Sequence, residues 1–365
     1  MDTIDSELEK NGINVICPIS TLNVNEIATY VARLLCSKMP ELKLNYNTVF
    51  MSISRLPMYI AELPEGQADA CYFYKNSSIY FRKGLTFDKI KKLAVHESIH
   101  HLQEVKDAKG NLKKLGLCTY SGFKAFGSAL NEGAVQLISS YLVGEKTDVV
   151  KYYDITLPTD SQSYYPLVCN LVKQIGYVSN FATMFDSTIY ANTLFFEKFI
   201  SACGEDEAFR IQQNLDELVL LEEKIAKISE KIQTEDLSYR KFKSATDKIN
   251  SYKAKIRKVF ISTQNLIITS FFDKETNNLL SITRIEEYRK YLYSFKNLIG
   301  TVDGYTFFND YYINKMNELD ERYEAITNNK ALTLVKRSKV SIFFNSIKRL
   351  LVGNASEYER DNNLH

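Results

Sequence analysis

The hydrophobic pattern divides the chain into two parts of different character. Up to about residue 205, short apolar runs alternate with helical periodicity. Beyond it, apolar residues recur at steps of three and four with few interruptions, which places them on one face of a helix. The pattern predicts an α+β protein, with a mixed domain at residues 1–204 and a mostly α-helical domain at residues 205–365.

The first part is predicted to contain one helix and several short strands before residue 86. Residues 23–39 have helical periodicity, and residues 48–54 form an apolar run typical of a strand. Residues 71–74 and 78–82 are aromatic and β-rich, and the three polar residues between them indicate a hairpin. A small sheet is therefore expected in this region.

Three further helices are predicted in the middle of the chain. The first covers residues 86–106, with a threonine as its N-cap. After a polar loop at residues 107–116, the second covers about residues 124–143 and ends at a glycine. Residues 147–163 show no regular pattern, and Pro166 then opens the third helix in a position that proline tolerates.

The second part is predicted to begin with an antiparallel helical hairpin. Residues 211–232 and 242–259 each carry an apolar stripe at helical spacing, and a short polar break separates them. Further helices are expected at residues 282–298, 305–327 and 332–351. The last of these is basic and amphipathic, so it either docks on the core or makes a peripheral contact with an anionic membrane.

Composition narrows the class of protein without indicating its chemistry. Of the 365 residues 45% are hydrophobic and 25% are charged, and the net charge is +2, which is typical of a globular protein and predicts no nucleic-acid partner. The first ten residues do not resemble a signal peptide, and no apolar run is long enough to span a membrane, so a cytoplasmic location is expected. Six scattered cysteines are interpreted as buried, unpaired thiols.

The helix predicted at residues 86–106 carries a recognisable metal-binding motif. His96, Glu97 and His100 form the pattern HExxH. Residues four apart lie one turn apart on the same helix face, so both imidazoles can reach one ion, and the glutamate can approach a water bound to it. Roughly 0.003 such matches are expected by chance in a chain of this composition, so the motif predicts a catalytic Zn²⁺ site.

A catalytic zinc site requires a third protein ligand and one open position. The one histidine outside the motif region is His365, so the third ligand should be a carboxylate. Glu132 is the best candidate, because a loop of this size would bring its helix back to the metal. Glu104 is a rival candidate on the same predicted helix as the two histidines, but it lies too far along that helix to bind the same ion.

The two motifs together resemble the gluzincin branch of the zincin metallopeptidases. HExxH followed by a helix bearing Asn-Glu-Gly-Ala at residues 131–134 is similar to the thermolysin-like members, and the resemblance covers roughly residues 45–180. It implies that His96, His100 and Glu132 bind zinc and that Glu97 is the general base. It also implies a mixed sheet before the active-site helix, whose edge strand, expected at residues 78–82, holds a peptide substrate.

Two details of the expected site stay open at this point. A tyrosine should stabilise the oxyanion, and Tyr164 and Tyr165 are both suitable, because they precede the helix that follows the glutamate helix. Related enzymes carry an acid one turn after the ligand glutamate that orients a zinc histidine. Here that position is Gln136, whose carbonyl oxygen is expected to accept the imidazole N–H. His101 is expected to pack or to support a ligand.

Three functions are consistent with these residues. The first is a zinc metalloendopeptidase acting on a peptide or protein. The second is a catalytically inactive zincin-fold protein that binds a partner through its helical domain, although the intact Glu97 argues against it. The third is a zinc hydrolase acting on a non-peptide amide. The helical domain itself is interpreted either as a structural completion of the cleft or as a recognition module.

Overall fold

A computed structural model describes residues 4–64, 68–121 and 124–328 as a mixed α+β structure that is mostly helical. The described helices, α1 to α12, are Ile4–Lys10, Thr21–Lys38, Tyr46–Ser54, Phe87–Leu102, Ser128–Val143, Pro166–Ser179, Phe181–Tyr190, Leu194–Cys203, Glu205–Thr234, Tyr239–Thr276, Ile282–Phe295 and Phe307–Thr327. The described strands, β1 to β10, are Asn14–Pro18, Met58–Glu62, Ala70–Phe73, Ser78–Arg82, Glu104–Lys106, Leu112–Leu115, Cys118–Ser121, Lys124–Phe126, Asp148–Tyr152 and Ile155–Thr159.

The sheet that precedes α4 is mixed, as predicted, but its edge strand is a different one. Its order is β1-β2-β4-β3, with β2 parallel to β4 and the other neighbours antiparallel. The expected edge strand, Ser78–Arg82, is therefore an interior strand, and four of its five residues are buried. A strand covered on both faces reads as a continuous apolar run. The outer strand beside α4 is β3, Ala70–Phe73.

The predicted strand at residues 48–54 is wrong, because this segment is helix α3. The side chain of Asn45 accepts a hydrogen bond from the backbone N–H of Thr48 and caps the helix. Val49 and Ile53 are buried, and they lie one helical turn apart. A short apolar run does not distinguish a strand from a buried helix, and the Asn cap is the signal that decides.

Three segments predicted as loop or helix form β-hairpins instead. Helix α4 ends at Leu102 rather than near residue 106, and the expected loop at residues 107–116 lies within the β5–β6 hairpin. Residues 124–126 pair with β7, so α5 begins at Ser128. The segment 147–163 contains the β9–β10 hairpin. These strands are only three to five residues long, so they show no clear apolar alternation in the sequence.

The helical hairpin predicted in the second part is confirmed as α9 and α10. In α9 the buried residues extend only to Ile225, and in α10 they begin at Ile256. The tip of the hairpin therefore projects from the rest of the described structure. The helices expected at residues 282–298 and 305–327 are present with small shifts in their bounds. The basic helix expected at residues 332–351 lies outside the described residues.

Helix α5 connects the apolar cores of the two parts. Ala134 packs in a large cluster that continues through α6 and α8–α12, and Val135 packs in the cluster formed by α2–α4 and the first sheet. The large cluster contains buried residues on both sides of position 205. The two parts thus share apolar packing, and the division at 204/205 into two domains stays a prediction.

Two further expectations from composition can be compared with the described residues. The six cysteines are free thiols, as predicted, but only Cys118, Cys169 and Cys203 are buried. Cys36 and Cys71 are partly exposed, and Cys17 is exposed. Among residues 4–64, 68–121 and 124–328, no helix has both the length and the apolar character needed to cross a membrane.

Gly133 permits the close packing of α5 against α6. A methyl group on Gly133 would lie 2.6 Å from Val172 Cγ2 and 3.1 Å from Val168 Cγ1. We expect Gly133→Ala to lower the free energy of unfolding by about 1–3 kcal/mol, because the added carbon overpacks this contact. Urea denaturation measures the loss.

The double variant Gly133→Ala/Val172→Ala is the control, because removing two methyl groups opposite position 133 restores space. It should recover part of the stability lost in Gly133→Ala. Equal stability of Gly133→Ala and the wild type would contradict the importance of this contact.

Candidate metal centre

Helix α4 places the two histidines of the motif side by side. Thr86 caps the helix by accepting a hydrogen bond from the N–H of Lys89, at 3.3 Å. His96 and His100 follow one turn apart on the same face, and their Nε2 atoms are 3.0 Å apart. The local helical spacing alone therefore brings both imidazole nitrogens to one point.

Glu132 of α5 completes a group of three ligands at that point. Its Oε2 atom lies 3.6 Å from His96 Nε2, and its Oε1 atom lies 3.5 Å from His100 Nε2. The ligand atoms all lie within 4.8 Å of one another. Tetrahedral bonds of 2.0–2.1 Å place neighbouring ligand atoms about 3.3–3.4 Å apart. The group His96–His100–Glu132 could therefore hold a metal ion.

The three side chains are sheltered but accessible from one side. The exposed fractions are 15% for His96, 7% for His100 and 27% for Glu132. A catalytic metal site needs three protein ligands with one position accessible to water or substrate, whereas a structural site is closed. This partial exposure fits the catalytic kind of site.

Charge interactions within the group favour ionised Glu132. Burial raises the pKa of Glu132, but the imidazoles of His100 and His96 lower it by more, so the pKa lies below its usual range. Burial lowers the pKa of His100, but the carboxylate of Glu132 raises it by more, so the net pKa is raised. An ionised carboxylate beside two imidazoles is a donor set that suits a divalent cation.

Glu97 is held beside this group by the outer strand of the first sheet. It is 7% exposed, and its Oε2 atom accepts a 2.7 Å hydrogen bond from the backbone N–H of Tyr72 in β3. The Glu97 charge also acts on the imidazole of His100. The carboxylate that the motif assigns to proton transfer is therefore oriented by a main-chain group.

The side chain that supports His100 is Gln103, not Gln136. The amide Nε2 of Gln103 lies 3.0 Å from His100 Nδ1, whereas Gln136 donates to Ser140 Oγ at 3.2 Å. A histidine that binds metal through Nε2 carries its proton on Nδ1 and needs an acceptor there. The metal-bound state therefore requires the amide of Gln103 to present its oxygen to His100.

With its oxygen facing His100, the Gln103 amide also gains a hydrogen-bond partner for a buried atom that otherwise has none. In the opposite orientation Gln103 Oε1 is buried without a hydrogen-bond partner. A Cβ atom on Gly116 would lie 2.4 Å from that oxygen and 2.3 Å from Asn131 Oδ1, so the two side chains meet behind Gly116. Exchanging the amide nitrogen and oxygen places an N–H group at this end of the side chain, near Asn131 Oδ1. Gly116, with a φ of +57°, leaves the space for both amides.

His101, which follows the second ligand, faces away from the metal group. Its Nε2 lies 3.0 Å from Ser52 Oγ, and its Nδ1 lies 3.3 Å from the Tyr72 hydroxyl. Burial lowers the pKa of His101. Its ring therefore connects α3, α4 and β3, in agreement with the expected packing or supporting role.

The two candidate tyrosines occupy different surroundings. The Tyr164 hydroxyl donates to Asp69 Oδ2 at 3.4 Å, and Asp69 also binds Lys89 and Arg82. Burial is the main cause that raises the pKa of Tyr165. Among the neighbouring charges, the carboxylate of Glu132 raises this pKa the most. Burial and, to a smaller extent, the charge of Glu97 raise the pKa of both phenols, and the charge of Glu132 raises the pKa of Tyr165, while the Tyr164 hydroxyl is engaged by Asp69 at the start of β3.

Helix α9 of the second part fixes the start of the ligand helix. Asp216 Oδ1 accepts a 2.9 Å hydrogen bond from the backbone N–H of Ala129, one turn before Glu132. A helix N-terminus has unpaired N–H groups, and a carboxylate there is stabilising. The position of Glu132 therefore depends on a residue that lies 84 positions later in the chain.

Three contributors to this site were missed by the sequence analysis. Gln103 had a detectable signal, because it lies three residues after His100 on the same helix face. The Tyr72 N–H is a backbone group and leaves no trace in the sequence. Asp216 lies on a helix predicted for a separate domain, so nothing local pointed to it.

Comparisons with known proteins give no match for this chain. No protein-family model matches it. No curated protein and no solved structure is significantly similar to it. The chemistry of the site therefore has to be argued from the geometry described above.

We expect the wild-type chain to bind close to one Zn²⁺, because three ligand atoms converge at tetrahedral spacing. Glu132→Ala should lose the metal, whereas Glu97→Gln should retain it, since Glu97 is bonded to Tyr72 and is not one of the ligands. Elemental analysis after dialysis gives the stoichiometry. Wild-type protein without bound metal after loading would refute the metal site.

Gln103 and Gln136 provide a matched test of which side chain supports His100 at Nδ1. Gln103→Leu should weaken zinc affinity about 10–100-fold, because the Nδ1–H then lacks its acceptor. Gln136→Leu should leave affinity unchanged, because that amide bonds Ser140. Competition with a chromophoric chelator measures both. A larger effect for Gln136→Leu would show that Gln103 does not support His100.

Proposed function

We propose that this protein is a zinc metallopeptidase of the zincin kind. The observation that carries the proposal is the convergence of His96, His100 and Glu132 from two helices, with Glu97 beside them and hydrogen-bonded to strand β3. A chance HExxH sequence would not require a carboxylate from another helix to meet both imidazoles. The site also retains the one acidic residue that proton transfer needs.

Zinc is the metal that this donor set suits best. A catalytic zinc site has three protein ligands, which can be two imidazoles and one carboxylate, and one further position that is accessible to water or substrate. Sites for Mg²⁺ or Ca²⁺ are built mainly from oxygen ligands, so the two histidines argue against those ions. When bound, zinc acidifies a water molecule and polarises a carbonyl group.

The protein residues supply the proton transfers and the orientation. Glu97 accepts a proton from the attacking water at a carboxylate oxygen and then delivers it to the leaving amine. The Tyr72 N–H holds Glu97 Oε2, so the other carboxylate oxygen is available for this transfer. Gln103 fixes the ring of His100 through Nδ1.

Strand β3 offers a surface on which a peptide could align. Its partner strand β4 lies on one side only, and the Tyr72 N–H points to the other side, towards Glu97. Backbone groups alternate along an antiparallel strand, so Ala70 directs its N–H and C=O to the same open side. A peptide added at this edge would run past the metal group, which favours a peptide over a non-peptide amide as substrate.

Tyr165 is the better candidate for stabilising the oxyanion. Its phenol is in the field of Glu132 and Glu97, and burial raises its pKa, so it stays protonated and able to donate. The Tyr164 hydroxyl is already bonded to Asp69. The two neighbours therefore form a matched pair for mutagenesis.

Cleavage of a mixed peptide library by zinc-loaded protein tests the proposal. Glu97→Gln should abolish cleavage while retaining zinc, because the base is lost and the ligands are not. Tyr165→Phe should lower kcat about 100-fold or more with little change in KM, whereas Tyr164→Phe should lower it much less. Mass spectrometry of the products gives rates and cleavage sites.

Two results would count against this function. Stoichiometric zinc without cleavage of any peptide would favour the inactive binding protein over the peptidase. Equal cleavage by the wild type and Glu97→Gln would show that the activity comes from another site or from a contaminant.

A further inference from the structure

Helix α4 presents a second pair of side chains besides the two metal-group histidines. Glu97 and His101 are four residues apart, so they share a helix face next to the face of His96 and His100. The histidine pair meets Glu132 of α5, whereas Glu97 and His101 both contact strand β3. The helix therefore uses one face for the metal group and the adjacent face for the strand.

Tyr72 of β3 contacts both members of this second pair. Its backbone N–H donates to Glu97 Oε2 at 2.7 Å, and its hydroxyl lies 3.3 Å from His101 Nδ1. The rings of Tyr72 and His101 also meet edge to face, with centroids 5.9 Å apart. One residue thus holds the carboxylate with its main chain and the imidazole with its side chain.

The other side of the His101 ring is fixed to α3. His101 Nε2 lies 3.0 Å from Ser52 Oγ, so both ring nitrogens have a hydrogen-bond partner. We call Ser52, His101 and Tyr72 the His101 chain, and none of the three is a member of the metal group. The chain joins α3, α4 and β3, and Glu97 is bonded at its end.

Strand β3 is paired along one edge only. It pairs with β4 from Ala70 to Phe73, and no strand among the described residues lies on its other side. Lys106 holds the turn that follows β3, because its Nζ donates to Ser77 Oγ at 2.9 Å and to the Tyr74 carbonyl at 3.4 Å. At the middle of the strand, Tyr72 supplies the polar contacts to α4 described above.

We infer that His101 is a positioning residue for Glu97. By holding the Tyr72 hydroxyl, it fixes β3 at the distance from α4 at which the Tyr72 N–H binds the carboxylate. A displacement of about 1 Å at a reacting group can cost about 100-fold in rate, so this distance matters for proton transfer. The catalytic consequence rests on the proposed function, but the coupling of His101 to the Tyr72 N–H does not.

Hydrogen exchange of the Tyr72 backbone amide tests this coupling without any need for peptidase activity. NMR of the full chain measures the exchange rate in each variant. His101→Leu and Tyr72→Phe should each raise the rate about tenfold, because loss of the side-chain contact loosens the bond between this N–H and Glu97. His101→Asn, whose amide can take the place of Nδ1, should retain slow exchange. The control Tyr74→Phe, which removes a hydroxyl just beyond the same strand, should retain it as well.

A second measurement connects the His101 chain to cleavage. His101→Leu should lower kcat about tenfold or more and retain bound zinc, and His101→Asn should recover most of the loss. The exchange rates decide the coupling even if no peptide is cleaved, so failure of the peptidase proposal remains distinguishable.

Three results would overturn the inference. The first is an unchanged Tyr72 amide rate in both His101→Leu and Tyr72→Phe. The second is an equal effect of His101→Leu and His101→Asn. The third is a matching acceleration at the amide of Ile138 in α5, which would show a general loss of stability instead of a local coupling.

Discussion

Three metal-ligand atoms carried by two helices lie within 4.8 Å of one another, and much of the surrounding structure holds them there. His96 and His100 need only the rise of one helix, because residues four apart share a face. Glu132 needs α5 to lie at a defined height beside α4. A displacement of about 1 Å can impair catalysis at a site of this kind, so the packing of α5 beside α4 is the constraint on which the proposed metal site depends.

Contacts from several distant regions of the chain hold α5 in position. Asp216 of α9 accepts a hydrogen bond at its N-terminus, and Gly133 lets α6 pack closely behind the ligand position. Val135 and Ala134 anchor the two faces of α5 in different apolar clusters. The helical second part is therefore a structural support of the metal group, whatever further role it has in recognition.

Several buried polar atoms on or next to α4 have no hydrogen-bond partner among the described residues, and they include His96 Nδ1, Ser98 Oγ and Gln103 Oε1. Gln103 lacks a partner for one amide oxygen until a metal-bound His100 presents Nδ1–H to it. The unpaired Gln103 oxygen is consistent with a ligand at this site, because a buried polar group left without a partner lowers stability.

The sequence by itself determined what depends on neighbours along one helix or one short segment. The convergence of His96 and His100, the Thr86 cap and the hairpin of α9 and α10 follow from local spacing. The prediction that Glu132 joins the two histidines follows from the coordination number of a catalytic zinc site. Tertiary structure alone decided that β3 rather than Ser78–Arg82 is the edge strand, and that the β-hairpins flank α5. It also placed Asp216 of α9 at the start of α5. Strand order, polar partners and electrostatic neighbours join residues far apart in the chain, and no periodic pattern in the sequence records which distant segments meet.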